Sequence, residues 1–149
     1  MKVFGITGGV GAGKSEVLTY LGQNYDATVI QADEAGYLVM LPGGECYGEI
    51  VKLFGRQITT ETGELDRKRI AEIVFQDEEK LKALNAIVHP AVKEYLLSHL
   101  EKARKDGGVE LFFVEAALLI EGGYGALVDE MWYIYADESV RRRRLEQAR

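Results

Sequence analysis

The chain is poor in the residues that make covalent and metal-based frameworks. Cys46 is its single cysteine, so no intramolecular disulfide can form and no oxidising compartment is indicated. A packing or surface role is expected of it rather than that of a catalytic thiol. Two histidines beside one cysteine offer no metal-cluster spacing. No run of about 18 apolar residues exists, so no transmembrane helix is expected. The start of the chain carries one lysine, Lys2, and lacks the apolar stretch and cleavage site of a signal peptide. Positive charge is in deficit: 18 Lys and Arg against 24 Asp and Glu leave a net −6, and the one basic tract is Arg141-Arg142-Arg143-Arg144. That balance counts against nucleic-acid and membrane-surface partners. A cytoplasmic protein, monomeric or weakly self-associating, is the expectation.

What is present is an ordinary globular composition, 47% apolar and 28% charged over 149 residues. The length suits one domain that buries roughly 68–70% of its unfolded surface. Its strongest feature is Gly8-Gly9-Val10-Gly11-Ala12-Gly13-Lys14-Ser15, which fits G-x-x-x-x-G-K-[ST]. A short apolar run, Val3-Phe4-Gly5-Ile6-Thr7, precedes it. A helical pattern with Val17, Leu18 and Leu21 on one face follows. Strand, glycine loop, helix is the context that makes this pattern a phosphate-binding loop. Glycines let successive N–H groups converge on an anion, and the helix N-terminus adds partial positive charge. Lys14 can reach the β- and γ-phosphates, and the Ser15 hydroxyl can ligate Mg²⁺. The acidic net charge does not oppose a nucleotide, whose charge is met locally.

Four strands are expected: 2–7, 27–31, 109–114 and 131–135, the last rich in aromatics. Helices are expected at 14–23, 34–41 and 45–54. Another follows Asp66, a good N-cap, and carries Ile70, Ile73, Val74 and Phe75. The next begins at Gln76-Asp77 and is interrupted or kinked at His89-Pro90. Helix then resumes over 91–105, and a basic helix runs from Glu138 to Arg149. Strands alternating with helices argue for a parallel α/β sheet in a three-layer α/β/α arrangement. The helical block 34–106 is too long for one crossover and reads as a helical subdomain inserted in a core of 1–33 and 107–137. Residues 138–149 read as the start of a lid.

Phosphoryl transfer needs held phosphates, a metal, an activated acceptor and cations on the spreading charge. Asp33 lies just past the second strand, where ligands gather in open α/β sheets. It can take a proton from an acceptor hydroxyl or cap the helix that follows, and the two roles are compatible. Glu115, at the end of the third strand, is a candidate for the Mg²⁺ neighbourhood or a solvated strand-end carboxylate. Arg141 and Arg144 are three residues apart on one helix, and Arg144 and Arg149 five apart, so not all share a face. One or two of them close over a triphosphate and the others are solvated. His89 is a candidate substrate contact or a packed helix residue.

Taken together, the motifs resemble the dephospho-CoA kinase family. The blocks are Ile6 to Ser15, Ala32-Asp33, Phe54-Gly55, Gly63-Glu64-Leu65-Asp66-Arg67, Val74-Phe75, Ile87-Val88-His89-Pro90 and Ala117-Leu118-Leu119-Ile120-Glu121. The resemblance implies a P-loop fold similar to the nucleoside-monophosphate kinases, and transfer of the ATP γ-phosphoryl to the ribose 3′-hydroxyl of dephospho-CoA with Mg²⁺. It implies Asp33 as base, Lys14 and Ser15 at phosphate and metal, and Arg144 and Arg149 as lid arginines. Arg67, His89, Leu118 and Glu121, with Asp33, become acceptor-binding candidates. This chain has Gln31-Ala32-Asp33 where the family often has Asp-Ala-Asp, and Ala117 where it has proline. Family members run some tens of residues further, so the remainder of the lid, a final strand and a terminal helix are expected to be missing here. Another P-loop kinase of small molecules or nucleoside monophosphates is the alternative enzyme. A nucleotide switch or a non-catalytic nucleotide-binding fragment is the alternative of another class.

Overall fold

A computed structural model describes residues 1–116 and 123–148. Four parallel strands form its sheet: β1 (Lys2–Gly8), β2 (Ala27–Gln31), β3 (Leu111–Glu115) and β4 (Glu130–Ile134). Their order is β2-β3-β1-β4, so the fold is α/β with a parallel sheet, as the alternation of elements implied. Six helices accompany them among the described residues: α1 (Lys14–Asn24), α2 (Ala32–Val39), α3 (Tyr47–Phe54), α4 (Arg67–Gln76), α5 (Glu78–Asp106) and α6 (Glu138–Gln147). None is long and apolar enough to cross a membrane.

The chain divides into two compact units, Met1–Ala32 with Ser98–Arg149, and Asp33–Leu97. In the first, β1 is buried on both faces from Val3 to Thr7, as a central parallel strand must be. Phe4 and Ile6 share one face with Phe113, and Leu18 and Leu21 of α1 pack on them. The rings of Phe4 and Phe113 stack at 5.2 Å, and Trp132 lies 4.8 Å from Phe4. This apolar cluster fixes the end of β1 against the start of α1, and with them the turn between.

The second unit is helical, with Ala35, Val39, Cys46, Ile50, Phe54, Ile58, Leu65 and Ile70 among its buried residues. Asp66 caps α4 as expected, accepting the Arg69 N–H at 3.1 Å. Asp77 does the same for α5 through Lys80 N–H at 3.1 Å. Two expectations need correcting. Of the two outcomes expected at His89-Pro90, the interruption does not occur: helix α5 runs on to Asp106 with Pro90 inside it. Proline leaves the carbonyl four residues back without its N–H donor. Ala86, His89 and Pro90 are all exposed, so water can serve that carbonyl. Phe75, placed in the α4 apolar pattern, is 91% exposed. Ile70 is buried and Ile73 and Val74 half-buried; Phe75 falls outside their stripe.

Candidate phosphate-binding site

The loop between β1 and α1 is shaped by backbone rather than by side-chain packing. Gly8 pairs in register with Ile134, and a Cβ on Gly8 would lie 2.4 Å from the Ile134 carbonyl oxygen. Only glycine lets β1 continue beside β4 and still turn. Gly11 and Gly13 then adopt φ of 78° and 100°, the left-handed region that glycine enters without a Cβ penalty. The Ala12 N–H closes a turn on the Gly9 carbonyl at 3.1 Å. Gly13 is the N-cap of α1 and, having no side chain, leaves the helix without a side-chain cap. The first N–H groups of such a helix end suit an anion.

Cations converge on this turn. The Lys14 ammonium donates to the Gly8 carbonyl at 2.6 Å and to Gly9 at 3.3 Å, which holds it over the loop. From α6, the Arg144 guanidinium donates to the Gly11 carbonyl at 3.0 Å. Arg141 lies against Gly9 and Gly11. In a chain of net charge −6, this local excess of positive charge fits a polyanion better than a neutral ligand.

Gly8 thus ends β1, Gly9, Val10, Gly11, Ala12 and Gly13 make the turn, and Lys14 and Ser15 open α1, with Ala12 buried and Val10 and Ser15 exposed. Glu115 ends β3, half-buried and in register with Ile6 of β1. Among the described residues no three His, Cys, Asp or Glu side chains gather as a metal cage. Mg²⁺ carried by phosphates needs one or two protein oxygens; of the two sequence candidates, Ser15 is exposed in the first turn of α1 and Glu115 ends β3.

The second unit holds other candidates. Asp33 is exposed in the first turn of α2. The helix already begins at Ala32, so the N-cap role considered for Asp33 is not the one it has; a first-turn carboxylate still complements the helix dipole. Arg67 opens α4, and its guanidinium lies over the Tyr37 ring, 5.3 Å from the centroid. His89 is exposed within α5. Leu118, Glu121 and Arg149 lie outside the described residues. Arg141 is one of the three arginines among which one or two are expected at a triphosphate, and it lies against the loop. Its signal was the three-residue spacing to Arg144, which puts both on one helix face.

Comparison with known proteins follows the same lines. The family described as CoaE, dephospho-CoA kinase, matches residues 2–149. The dephospho-CoA kinase of Geobacillus kaustophilus is 40% identical over 141 residues, covering 95% of this chain and 69% of that protein. That of Moorella thermoacetica is 37% identical over 145 residues, covering 97% and 68%. A crystal structure from Thermus thermophilus superposes with a TM-score of 0.79 at 32% identity, covering 98% of this chain and 71% of that one. The dephospho-CoA kinase of Campylobacter jejuni, at 19% identity and a TM-score of 0.70, covering 99% and 96%, shares the fold.

Proposed function

The chain belongs to the dephospho-CoA kinase family, and from that premise we propose how its residues share the reaction. The activity is an ATP-dependent phosphoryl transfer to the ribose 3′-hydroxyl of dephospho-CoA, with Mg²⁺ as cofactor, in the last step of coenzyme A synthesis. The observation that supports our reading of the site is the Gly8–Ser15 turn. It joins an uncapped helix N-terminus to Lys14, with Arg144 resting on the Gly11 carbonyl.

In this reading the loop N–H groups and Lys14 hold the ATP phosphates. Ser15, with Glu115 at the end of β3, would hold Mg²⁺, which when bound would neutralise phosphate charge. Asp33 takes the proton of the 3′-hydroxyl as that oxygen attacks the γ-phosphorus. The bond from the γ-phosphorus to the bridging oxygen breaks, and ADP leaves with the electron pair. The position of Asp33, two residues past β2, supports this role, because ligands of parallel sheets collect beyond the carboxyl ends of the strands. Arg144 and Arg149 stabilise the transferring phosphoryl. Arg67 and His89, with Leu118 and Glu121, bind the acceptor. We assign 34–106 to the acceptor-binding insertion, 1–33 with 107–137 to the core, and 138–149 to the start of a lid whose closure excludes water. We place the enzyme in the cytoplasm as a monomer or weak homo-oligomer, a form that sedimentation would test.

The test is a coupled assay of ADP formation, offering dephospho-CoA beside a panel of nucleosides and nucleoside monophosphates. ADP formation dependent on dephospho-CoA is expected. Turnover with a nucleoside instead would transfer the proposal to another small-acceptor kinase.

A further inference from the structure

Of the four consecutive arginines in α6, three are exposed and Arg141 is half-buried. Arg142 pairs with Glu138 at 2.7 Å. Among the described residues no carboxylate pairs with Arg141. Instead its Nε donates to the Ala136 carbonyl, 3.1 Å away in the turn between β4 and α6. That bond uses one of its five N–H groups and fixes the plane of the guanidinium. The same residue covers two glycines of the loop. A Cβ on Gly9 would lie 2.9 Å from Arg141 Nη1 and 3.6 Å from Cζ. A Cβ on Gly11 would lie 3.1 Å from the Arg141 carbonyl oxygen and 3.3 Å from its Cα.

A half-buried arginine whose Nε alone is bonded to the backbone among the described residues keeps its Nη donors for a further acceptor. The anion for which its neighbours are built is a polyphosphate. We propose that Arg141 is a direct ligand of the nucleotide phosphates, a third cation beside Lys14 and Arg144. The Nε anchor on Ala136 holds the Nη groups at the loop for bidentate capture of phosphate oxygens. Arginine is therefore required rather than any positive charge. The bare faces fit this arrangement: Gly9 leaves room for the Arg141 guanidinium, and Gly11 for its backbone. The proposal rests on the reading of Gly8–Ser15 as the ATP loop.

Calorimetric titration with Mg-ATP of the wild-type chain, Arg141→Ala and Arg143→Ala tests it, with circular dichroism to confirm folding. Loss of a charge-assisted contact predicts an ATP Kd about 10-fold higher for Arg141→Ala. Arg143, exposed and unpaired among the described residues, should leave the Kd unchanged when removed. If Arg141→Ala does not fold, Arg141→Gln carries the same comparison. A Kd for the Arg141 variant within twofold of wild type would overturn the proposal while leaving the loop assignment standing. Failure of the wild-type chain itself to bind ATP would remove the loop reading and the proposal with it.

Discussion

The phosphate loop and the helical unit make their functional positions in opposite ways. In the loop, the backbone is the instrument. Glycines at 8, 11 and 13 set the turn, and an apolar cluster of Phe4, Ile6, Leu18 and Phe113 clamps the strand and helix that flank it. Side chains arrive late, as cations laid over carbonyl oxygens. In the helical unit the backbone is regular helix, and the candidate residues Asp33, Arg67 and His89 are exposed side chains on three different helices. A site made of backbone is committed by folding itself. A site made of exposed side chains can be emptied one residue at a time with little cost to the fold. The contrast predicts that substitutions in the first unit damage stability and nucleotide binding together, whereas those in the second separate chemistry from stability.

The largest effect should come from Phe113→Ala, which leaves a cavity in the cluster behind the loop. A loss of about 3–5 kcal/mol is expected, read by urea denaturation, with ATP affinity falling as the fold does. A loss below about 1 kcal/mol would break the contrast at its stronger side. Next, Lys14→Ala removes the bonds to the Gly8 and Gly9 carbonyls and should lower turnover about 10²–10³-fold, the usual consequence of deleting one preorganised charge donor, together with a lower unfolding midpoint. Asp66→Ala removes the cap bond to the Arg69 N–H and should cost about 1 kcal/mol with no change in ATP affinity, since α4 lies in the other unit.

The smallest effect is a pH dependence. Burial, and then the charges of Glu45 and Glu49, push the Cys46 thiol up, so the folded protein holds that proton more tightly than the unfolded chain. The stabilisation is complete below the ordinary thiol range and is lost as pH rises from that range towards the raised folded value. Cys46→Ser should flatten this alkaline fall. Because Cys46 is 2% exposed, its alkylation rate also reports opening of the helical unit by itself.

The four strands, the loop and the cap at Asp66 could be read from the chain because each rests on local chemistry: short apolar runs, glycine spacing, and an acid before a helical stripe. Reading failed where a local rule met a wider context. Pro90 signals a break or a kink, yet α5 continues through it, among exposed residues where water can serve the orphaned carbonyl. Phe75 signals core, yet lies off the stripe set by Ile70. Asp33 looked like a cap until the helix began one residue before it. Which arginine meets the loop is illegible for a different reason: four arginines in a row look alike in sequence. What separates them is the turn at Ala136 and the missing Cβ atoms of Gly9 and Gly11, which only the fold brings together.

Asp33→Asn gives the most direct test, with ATP affinity and turnover on dephospho-CoA measured on the same preparation. The account predicts ATP binding equal to wild type and turnover lowered by about 10²–10⁴-fold, as for loss of a general base. Equal losses of binding and turnover, or turnover unchanged, would contradict it.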